Sequence, residues 1–520
     1  MTTIDRRQVW RGAAATAAAL ATPAVAAPRT DVAQWDIFEV ALKGPSTGNP
    51  FRDVSLTATF SQAGRDITVT GFYDGEGVYK VRFMPDAQGL WTWRTRSTTK
   101  TLDSRTGTLR CGPPVAGVHG PVGVRNGHHF GYADGTPFFP FGTTSYAWVH
   151  QSDALQQQTL ATLAKGPFNK MRMCVFPKSY EYNHNEPALY PFVRDAAGKS
   201  DFTRPEPAFF RHLEARVADL GRLGVECDLI LFHPYDRWGY ATMSAADDDA
   251  YLRYVLARLS AYRNIWWSMA NEYDLMKAKT TADFDRLLRI AQKDDPYGRL
   301  RSIHYSRTLY DYAQPWVTHA SLQTADFDKT TERLGAWKTP VVYDEVQYEG
   351  NLDRRWGNLS GEEMTWRFWR GVIAGGYVTH GETMLDPADA FNDAGTPVLW
   401  WAHGGALKGT SPTRIGFLRR LVEETAAAGG AFAGLEADTV NYYPNAHGLS
   451  HDGKAVASIL YFTDYHSPIW YEFPLPEGTF AAELIDPWAM TRTPVDGHFT
   501  GKTKLRLSGK PYQAVLFKRV

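Results

Sequence analysis

Residues 209–232 read FFRHLEARVADLGRLGVECDLILF. Phe210, Leu213, Val217, Leu220 and Leu223 recur at three- and four-residue spacing, which is one face of a helix, and Gly224 ends the run. Val225 to Phe232 follows as a nearly unbroken apolar stretch, the pattern of a strand covered on both faces of its sheet. Helix, stop and buried strand together form the repeating unit of a parallel α/β fold. Runs of the same kind occur at Phe138 to Gly142, Met171 to Phe176, Asn264 to Ala270, Leu300 to His304, Trp316 to Leu322, Pro340 to Tyr343 and Gly376 to Thr379. Asp247, Asp248 and Asp249 place negative charge at the start of a helix that reaches Tyr262. Eight runs predict a (β/α)8 TIM barrel over residues 124–428. The connection from Ser306 to Pro315 is too short for a full helix, so one barrel segment is expected to be degenerate. An open doubly wound sheet is the structural alternative.

On either side of this region the period changes. Residues 32–112 alternate, as in Val54 to Phe60 and Tyr79 to Phe83, with turns such as Asp74-Gly75, and predict an N-terminal β-sandwich. Cys111-Gly-Pro-Pro114 and the glycine-rich stretch to Gly123 read as the linker. After a helix around Ile415 to Glu424, the runs Val456 to Phe462, Ile469 to Phe473 and Ala514 to Phe517 predict a C-terminal β-sandwich over residues 430–520. Residues 1–26 carry Arg6-Arg7, a mildly apolar alanine-rich core and Ala24-Val25-Ala26, which resembles a Tat-type signal peptide. An exported protein, periplasmic or extracellular, is expected.

The composition narrows the function. The 56 basic residues match 56 acidic ones, and no long Lys/Arg run occurs. A nucleic-acid partner is therefore not expected, because polyanion binding rests on counterion release by a basic surface. After the leader no apolar run reaches the roughly 18 residues that a membrane span needs, so no membrane partner is expected. Cys111, Cys174 and Cys227 contain no Cys-x-x-Cys pair and read as isolated thiols rather than a disulfide framework or zinc site. His-Glu-x-x-His, Gly-x-Ser-x-Gly and P-loop strings do not occur, and neither a metal nor a cofactor is expected. The 17 Trp, 26 Tyr and 27 Phe offer flat faces that suit the C–H faces of sugars as well as core packing.

In a barrel the C-terminal strand ends face the active site. Beyond the apolar runs stand Arg172 with Lys178, then His233, Tyr235, Asp236 and Trp238, then Asn271 and Glu272. His304 and Tyr305, His319 and Gln323, Glu345 and Tyr348, and His380 and Glu382 complete the set. Glu272 and Glu345 end the fourth and seventh runs, on opposite sides of one mouth. Such a carboxyl pair suits glycoside hydrolysis, in which one group protonates the leaving oxygen while the other attacks or activates water. Asp344 is expected to face away from Glu345, because side chains alternate along a strand. A polysaccharide lyase using Tyr305 with Arg172, and a non-catalytic carbohydrate-binding protein on a barrel scaffold, are the alternatives.

Ile265-Trp-Trp-Ser-Met-Ala-Asn271-Glu272-Tyr-Asp274-Leu-Met resembles the Asn-Glu acid/base segment of the clan A TIM-barrel retaining glycoside hydrolases. Pro340-Val-Val-Tyr-Asp-Glu345-Val-Gln-Tyr348-Glu-Gly350 resembles that clan's nucleophile strand, and more closely that of the apiosidase-like glycosidases. Leu231-Phe-His-Pro-Tyr-Asp-Arg-Trp-Gly239 and Gly375-Gly-Tyr-Val-Thr-His-Gly-Glu382 resemble the same group, which commonly carries an N-terminal β-sandwich. The resemblance implies a double displacement with Glu345 as nucleophile and Glu272 as acid/base. It further implies that Arg172 keeps Glu345 ionised and that Asn271 bonds the sugar 2-hydroxyl. His233, Tyr235, Asp236 and Trp238 would form the sugar-binding wall, with Trp238 as a stacking platform, and Tyr305, His304 or Tyr348 would orient the nucleophile. Without residues 1–26 the chain loses three arginines and one aspartate, leaving a net charge of −2 that favours a neutral substrate.

Overall fold

The computed structural model describes residues 31–352, 354–383, 400–429, 432–435, 445–451, 455–463 and 469–520. The leader read in residues 1–26 lies outside them. Each of the eight apolar runs forms a strand: β1 (Phe141–Thr144), β2 (Lys170–Cys174), β3 (Glu226–Phe232), β4 (Ile265–Ala270), β5 (Arg301–Ser302), β6 (Ala320–Gln323), β7 (Val341–Glu345) and β8 (Tyr377–His380). All pair in parallel, and β1 bonds both β2 and β8. The ring closes where β5 and β6 meet, through a single bridge between His304 and Ser321. This geometry is a barrel and not an open sheet.

Helices cover the outside. The run that opened the sequence reading forms Pro207–Arg222, with Gly224 at φ +70°, a conformation that costs glycine little. Ser244 caps Ala245–Leu259 by accepting the Asp247 N–H. No helix separates β5 from β6, as the short connection requires. At the lower end of the barrel, Phe130 from the strand His129–Tyr132 packs against Trp266, His319 and Tyr377 with ring centroids 5.0, 5.7 and 5.2 Å away. His129 is half-buried beside the Tyr377 hydroxyl, 3.2 Å from its Nδ1.

β7 departs from simple alternation. Leu322 pairs with Tyr343 but Gln323 pairs with Glu345, so Asp344 is an extra residue on the bulged strand. A bulge of this kind lets consecutive side chains share a face. Asp344 and Glu345 therefore both point into the barrel, contrary to the expected alternation. Arg172 lies 3.9 Å from the first and 3.8 Å from the second.

On the N-terminal side, a five-stranded and a three-stranded sheet share one core that includes Phe38, Phe60, Val81, Phe83 and Trp91. On the C-terminal side, a six-stranded sheet and the pair Trp470–Pro474 and Lys502–Arg506 share another, around Phe473 and Phe517. The N-terminal sheets are tied to the barrel helices by buried charge. Arg82 forks onto Glu214 at 2.7 and 2.9 Å, and Arg258 joins Glu214 to Asp74, which it meets at 2.8 Å. Burial works against the Glu214 carboxylate, but Arg82 and Arg258 outweigh it and hold the group down at about 2. A carboxyl depressed from its ordinary value stabilises the fold above that value and loses its contribution as pH falls toward 2. Glu214→Ala therefore lowers the unfolding free energy by about 3 kcal/mol at neutral pH, because two buried guanidinium groups lose their shared partner. In urea titrations, the gap to wild type should narrow below about pH 4.5.

Candidate functional site

A cavity of about 440 Å³ opens at the upper mouth of the barrel. Glu272 enters it directly after β4, and Glu345 ends β7. The Glu272 backbone sits in the left-handed region, φ 49° and ψ 53°, which is uncommon for a residue with a β-carbon. Backbone bonds on both sides hold this turn: Asn271 N–H to Phe232 O at 2.9 Å, and Tyr273 N–H to His304 O at 3.0 Å. Such local strain persists only where its surroundings impose it.

Each carboxylate is held by a tyrosine. Tyr146, two residues past β1, donates its hydroxyl to Glu345 and accepts a bond from Arg172 at 3.1 Å. The Tyr348 hydroxyl lies 3.2 Å from that of Tyr146, so it reaches the carboxylate at one remove. Tyr235 donates to Glu272, whose other oxygen accepts from Gln323 at 3.3 Å. Asn271 links the two halves: its Oδ1 accepts from Arg172 at 3.1 Å and its Nδ2 donates to Glu272 at 3.3 Å. Beneath them, Lys170 bridges Asp228 at 2.7 Å and Asp344 at 2.6 Å, filling the barrel with paired charge.

The electrostatics alter one expectation. Burial, and after it the charge of Glu272, push the Glu345 carboxyl up to about 7, against the pull of Arg172, the Tyr146 hydrogen bond and Lys178. Arg172 alone therefore does not keep Glu345 ionised at every pH of interest. The reason is that Glu345 is only 5% exposed and shares its cavity with a second acid.

Six of the expected residues line the cavity: Lys178, Tyr235, Glu272, Gln323, Glu345 and Tyr348. Arg172 and Asn271 stand directly behind it. The others do not line it. His233 bonds the Phe176 carbonyl at 3.1 Å, and Asp236 accepts the backbone N–H groups of Trp238 and Ala241, both at 2.8 Å. These two shape their loop rather than form a wall. Trp238 donates to Glu186 at 3.0 Å and stacks near Tyr240, outside the lining of the cavity. His304 lies fully buried in the barrel, its ring nitrogens without hydrogen-bond partners among the described residues, and Tyr305 also lies off the cavity wall. Neither touches Glu345. His319 precedes β6 and so belongs to the lower end, 5.3 Å from Trp266. His380 stacks on Phe168 at 4.8 Å. Glu382 pairs in register with Glu349 and accepts the Lys408 N–H, with burial pushing its carboxyl up to about 8.

Sequence reading missed Tyr146, Tyr180, Tyr182, Trp356 and Trp401, which supply much of the wall. Tyr146 was findable, since it follows β1 as the chosen residues follow the other strands. Trp401 lies in Trp400–His403, far from any strand end, and no local signal marks it. Its ring stacks on Tyr348 at 4.9 Å and 9°.

Residues 124–427 match a family described as the apiosidase-like catalytic domain. Residues 31–98 and 449–518 match two domains of unknown function, DUF5060 and DUF5605. A solved protein of Bacteroides vulgatus ATCC 8482, whose name proposes it as a glycoside hydrolase, is 38% identical, with 95% of this chain and 100% of that chain covered and a TM-score of 0.85. A family 5 glycoside hydrolase from the same organism is 14% identical over 77% of this chain and 94% of its own, with a TM-score of 0.59, a likeness of fold alone. The comparison with curated proteins found no match.

A buried carboxyl raised from its ordinary 4.5 to about 7 holds an extra proton in the folded state within that window, so its contribution to stability falls as pH rises through it. Glu345→Gln removes this penalty. The variant should be more stable than wild type at pH 8, by about 2 kcal/mol more than at pH 5, in urea titrations at the two values.

Proposed function

The chain belongs to the apiosidase-like catalytic-domain family, and from that premise we propose that it is a glycoside hydrolase that cleaves a neutral glycoside, oligosaccharide or polysaccharide by retaining double displacement. The observation that carries this reading is the facing of Glu272 and Glu345 across one cavity, each gripped by a tyrosine. The glycosidic oxygen lies beside Glu272 and the anomeric carbon faces Glu345. A Glu345 oxygen bonds to the anomeric carbon as the bond to the leaving oxygen breaks, and the Glu272 proton passes to that oxygen. Water then enters, Glu272 takes its proton, and the hydroxide oxygen displaces Glu345 from the anomeric carbon.

The surrounding residues support these roles. Tyr146, held by Arg172, stabilises the Glu345 carboxylate with a charge-assisted hydrogen bond and fixes its attacking oxygen. Tyr235 and Gln323 aim Glu272, and the strained turn beneath it limits its freedom. The faces of Tyr180, Tyr182, Trp356 and Trp401 offer the sugar an apolar surface. Tyr305, the base that a lyase reading requires, lies off the cavity wall. We also propose that residues 1–26 direct export through the Tat route, which places the enzyme outside the cytoplasm with its polymeric or glycosidic substrate.

A screen of aryl pyranosides, aryl furanosides and neutral polysaccharides tests the activity, with release of a saturated reducing sugar as the expected product. Glu345→Gln should abolish turnover. Glu272→Gln should lower kcat by about 10² to 10⁴ on unactivated substrates, and with an aryl glycoside of a good leaving group azide should rescue Glu272→Ala, giving a glycosyl azide of retained configuration. An inverted first product, or an active Glu345→Gln, rejects the mechanism. The free enzyme needs Glu345 ionised, so kcat/KM should rise with pH through about 7. Tyr146→Phe removes a bond that favours the carboxylate and should move that limb upward.

A further inference from the structure

Lys178 is built into the cavity in an unusual way. Its residue is 3% exposed, and its Nζ lies 4.2, 4.4 and 4.3 Å from the ring centroids of Tyr146, Tyr180 and Tyr235, and 5.6 Å from that of Trp401. Of the three buried lysines among the described residues, Lys170 meets Asp228 and Asp344, and Lys279 meets Asp248. Lys178 has no carboxylate within ion-pair distance and no hydrogen-bond acceptor among the described residues. Aromatic faces hold the ammonium instead, each worth about 0.5 to 2 kcal/mol of attraction.

A lysine present only to brace the fold would be paired, because a buried cation without compensation is costly. The charges around it show what it offsets. Lys170, Arg172 and Lys178 are the buried cations around the two acids, and Asp228, Asp344, Glu272 and Glu345 are the buried carboxyl groups; Arg354 and Glu181, exposed on the same cavity, pair with each other at 2.6 Å. When Glu272 carries its proton and Glu345 is ionised, three cations face three carboxylates. The other titratable groups that feel Lys178 are the Cys174 thiol and the tyrosine hydroxyls, which burial holds neutral, and the His233 and His304 imidazoles, whose proton affinity burial lowers.

We propose, on the reading of Glu272 as acid and Glu345 as nucleophile, that Lys178 is a positioning residue whose ammonium supplies the third positive charge that permits Glu345 to be ionised while Glu272 remains protonated. The cage keeps Nζ from forming a direct ion pair with either carboxylate, so it biases the charge of the pair without occupying an oxygen that must react. Without it the buried group carries one excess negative charge, and a second proton, taken by Glu345, is the cheapest remedy. Burial lowers the proton affinity of Lys178, and the ionised Glu345 acts in the opposite direction. The balance also matches a neutral sugar, since a substrate carboxylate beside Lys178 would compete with Glu345 for the same charge.

The test compares Lys178→Met, which removes the charge, with Lys178→Arg, which keeps it. The acid limb of kcat/KM should move up by about one pH unit or more in Lys178→Met, with a loss of about tenfold or more at pH 6 relative to pH 9. Lys178→Arg should restore the wild-type limb. Independently of any substrate, infrared titration of the protonated carboxyl band, assigned by its loss in Glu345→Gln, should show the same upward shift of the Glu345 midpoint. An unmoved midpoint in folded Lys178→Met overturns the proposal, as does a pH-independent rise in KM alone. If no sugar is hydrolysed but the midpoint shifts, the hydrolase reading fails while the electrostatic role of Lys178 stands.

Discussion

One guanidinium organises the upper end of the barrel. Arg172 on β2 is fully buried, 3.7 Å from Asp228 on β3, 3.9 Å from Asp344 and 3.8 Å from Glu345 on β7, and 3.1 Å from both the Tyr146 hydroxyl and the Asn271 side chain. A planar guanidinium of fixed charge presents its donors in a rigid fork that can serve several acceptors at once. Because a buried charge is tolerated only when surrounded by partners, each of these groups is restrained by the need to satisfy Arg172. The candidate nucleophile, the tyrosine that holds it and the asparagine that bonds the candidate acid are thereby referred to a single atom group.

The bulge on β7 makes this arrangement possible. Regular alternation would send either Asp344 or Glu345 to the helix layer. With the extra residue, Asp344 reaches down to Lys170 and Ser321 while Glu345 reaches up into the cavity. Structural charge and candidate chemistry therefore sit in adjacent layers of one barrel, and the lower layer sets the field felt by the upper. Burial then makes the carboxyl pair expensive to ionise fully.

Much of this was legible beforehand because periodicity is a local property. The run from Phe210 to Phe232 announced its helix, stop and strand, and the short link after His304 announced the missing helix. Glu272 and Glu345 were found because each directly follows a buried run. The histidines misled for a related reason. A residue near a strand end faces the cavity, the helix layer or the opposite mouth according to its exact register, and His319, His380 and His304 fell on the wrong side of that choice. The apolar run Trp316 to Leu322 began before the strand did, which placed His319 at the lower end.

Sequence alone thus determined the eight-stranded barrel, the β-rich regions on either side and the strand-end positions of the two candidate acids, because hydrophobic period and strand-end position are encoded within a few neighbouring residues. Only the tertiary structure decided which aromatic rings form the wall, that Tyr146 rather than Tyr305 or His304 holds Glu345, and that Lys178 stands in a cage of rings. Those facts depend on groups brought together from Tyr146 to Trp401. Their distances are set by barrel closure and by the balance of buried charge, which no local pattern records.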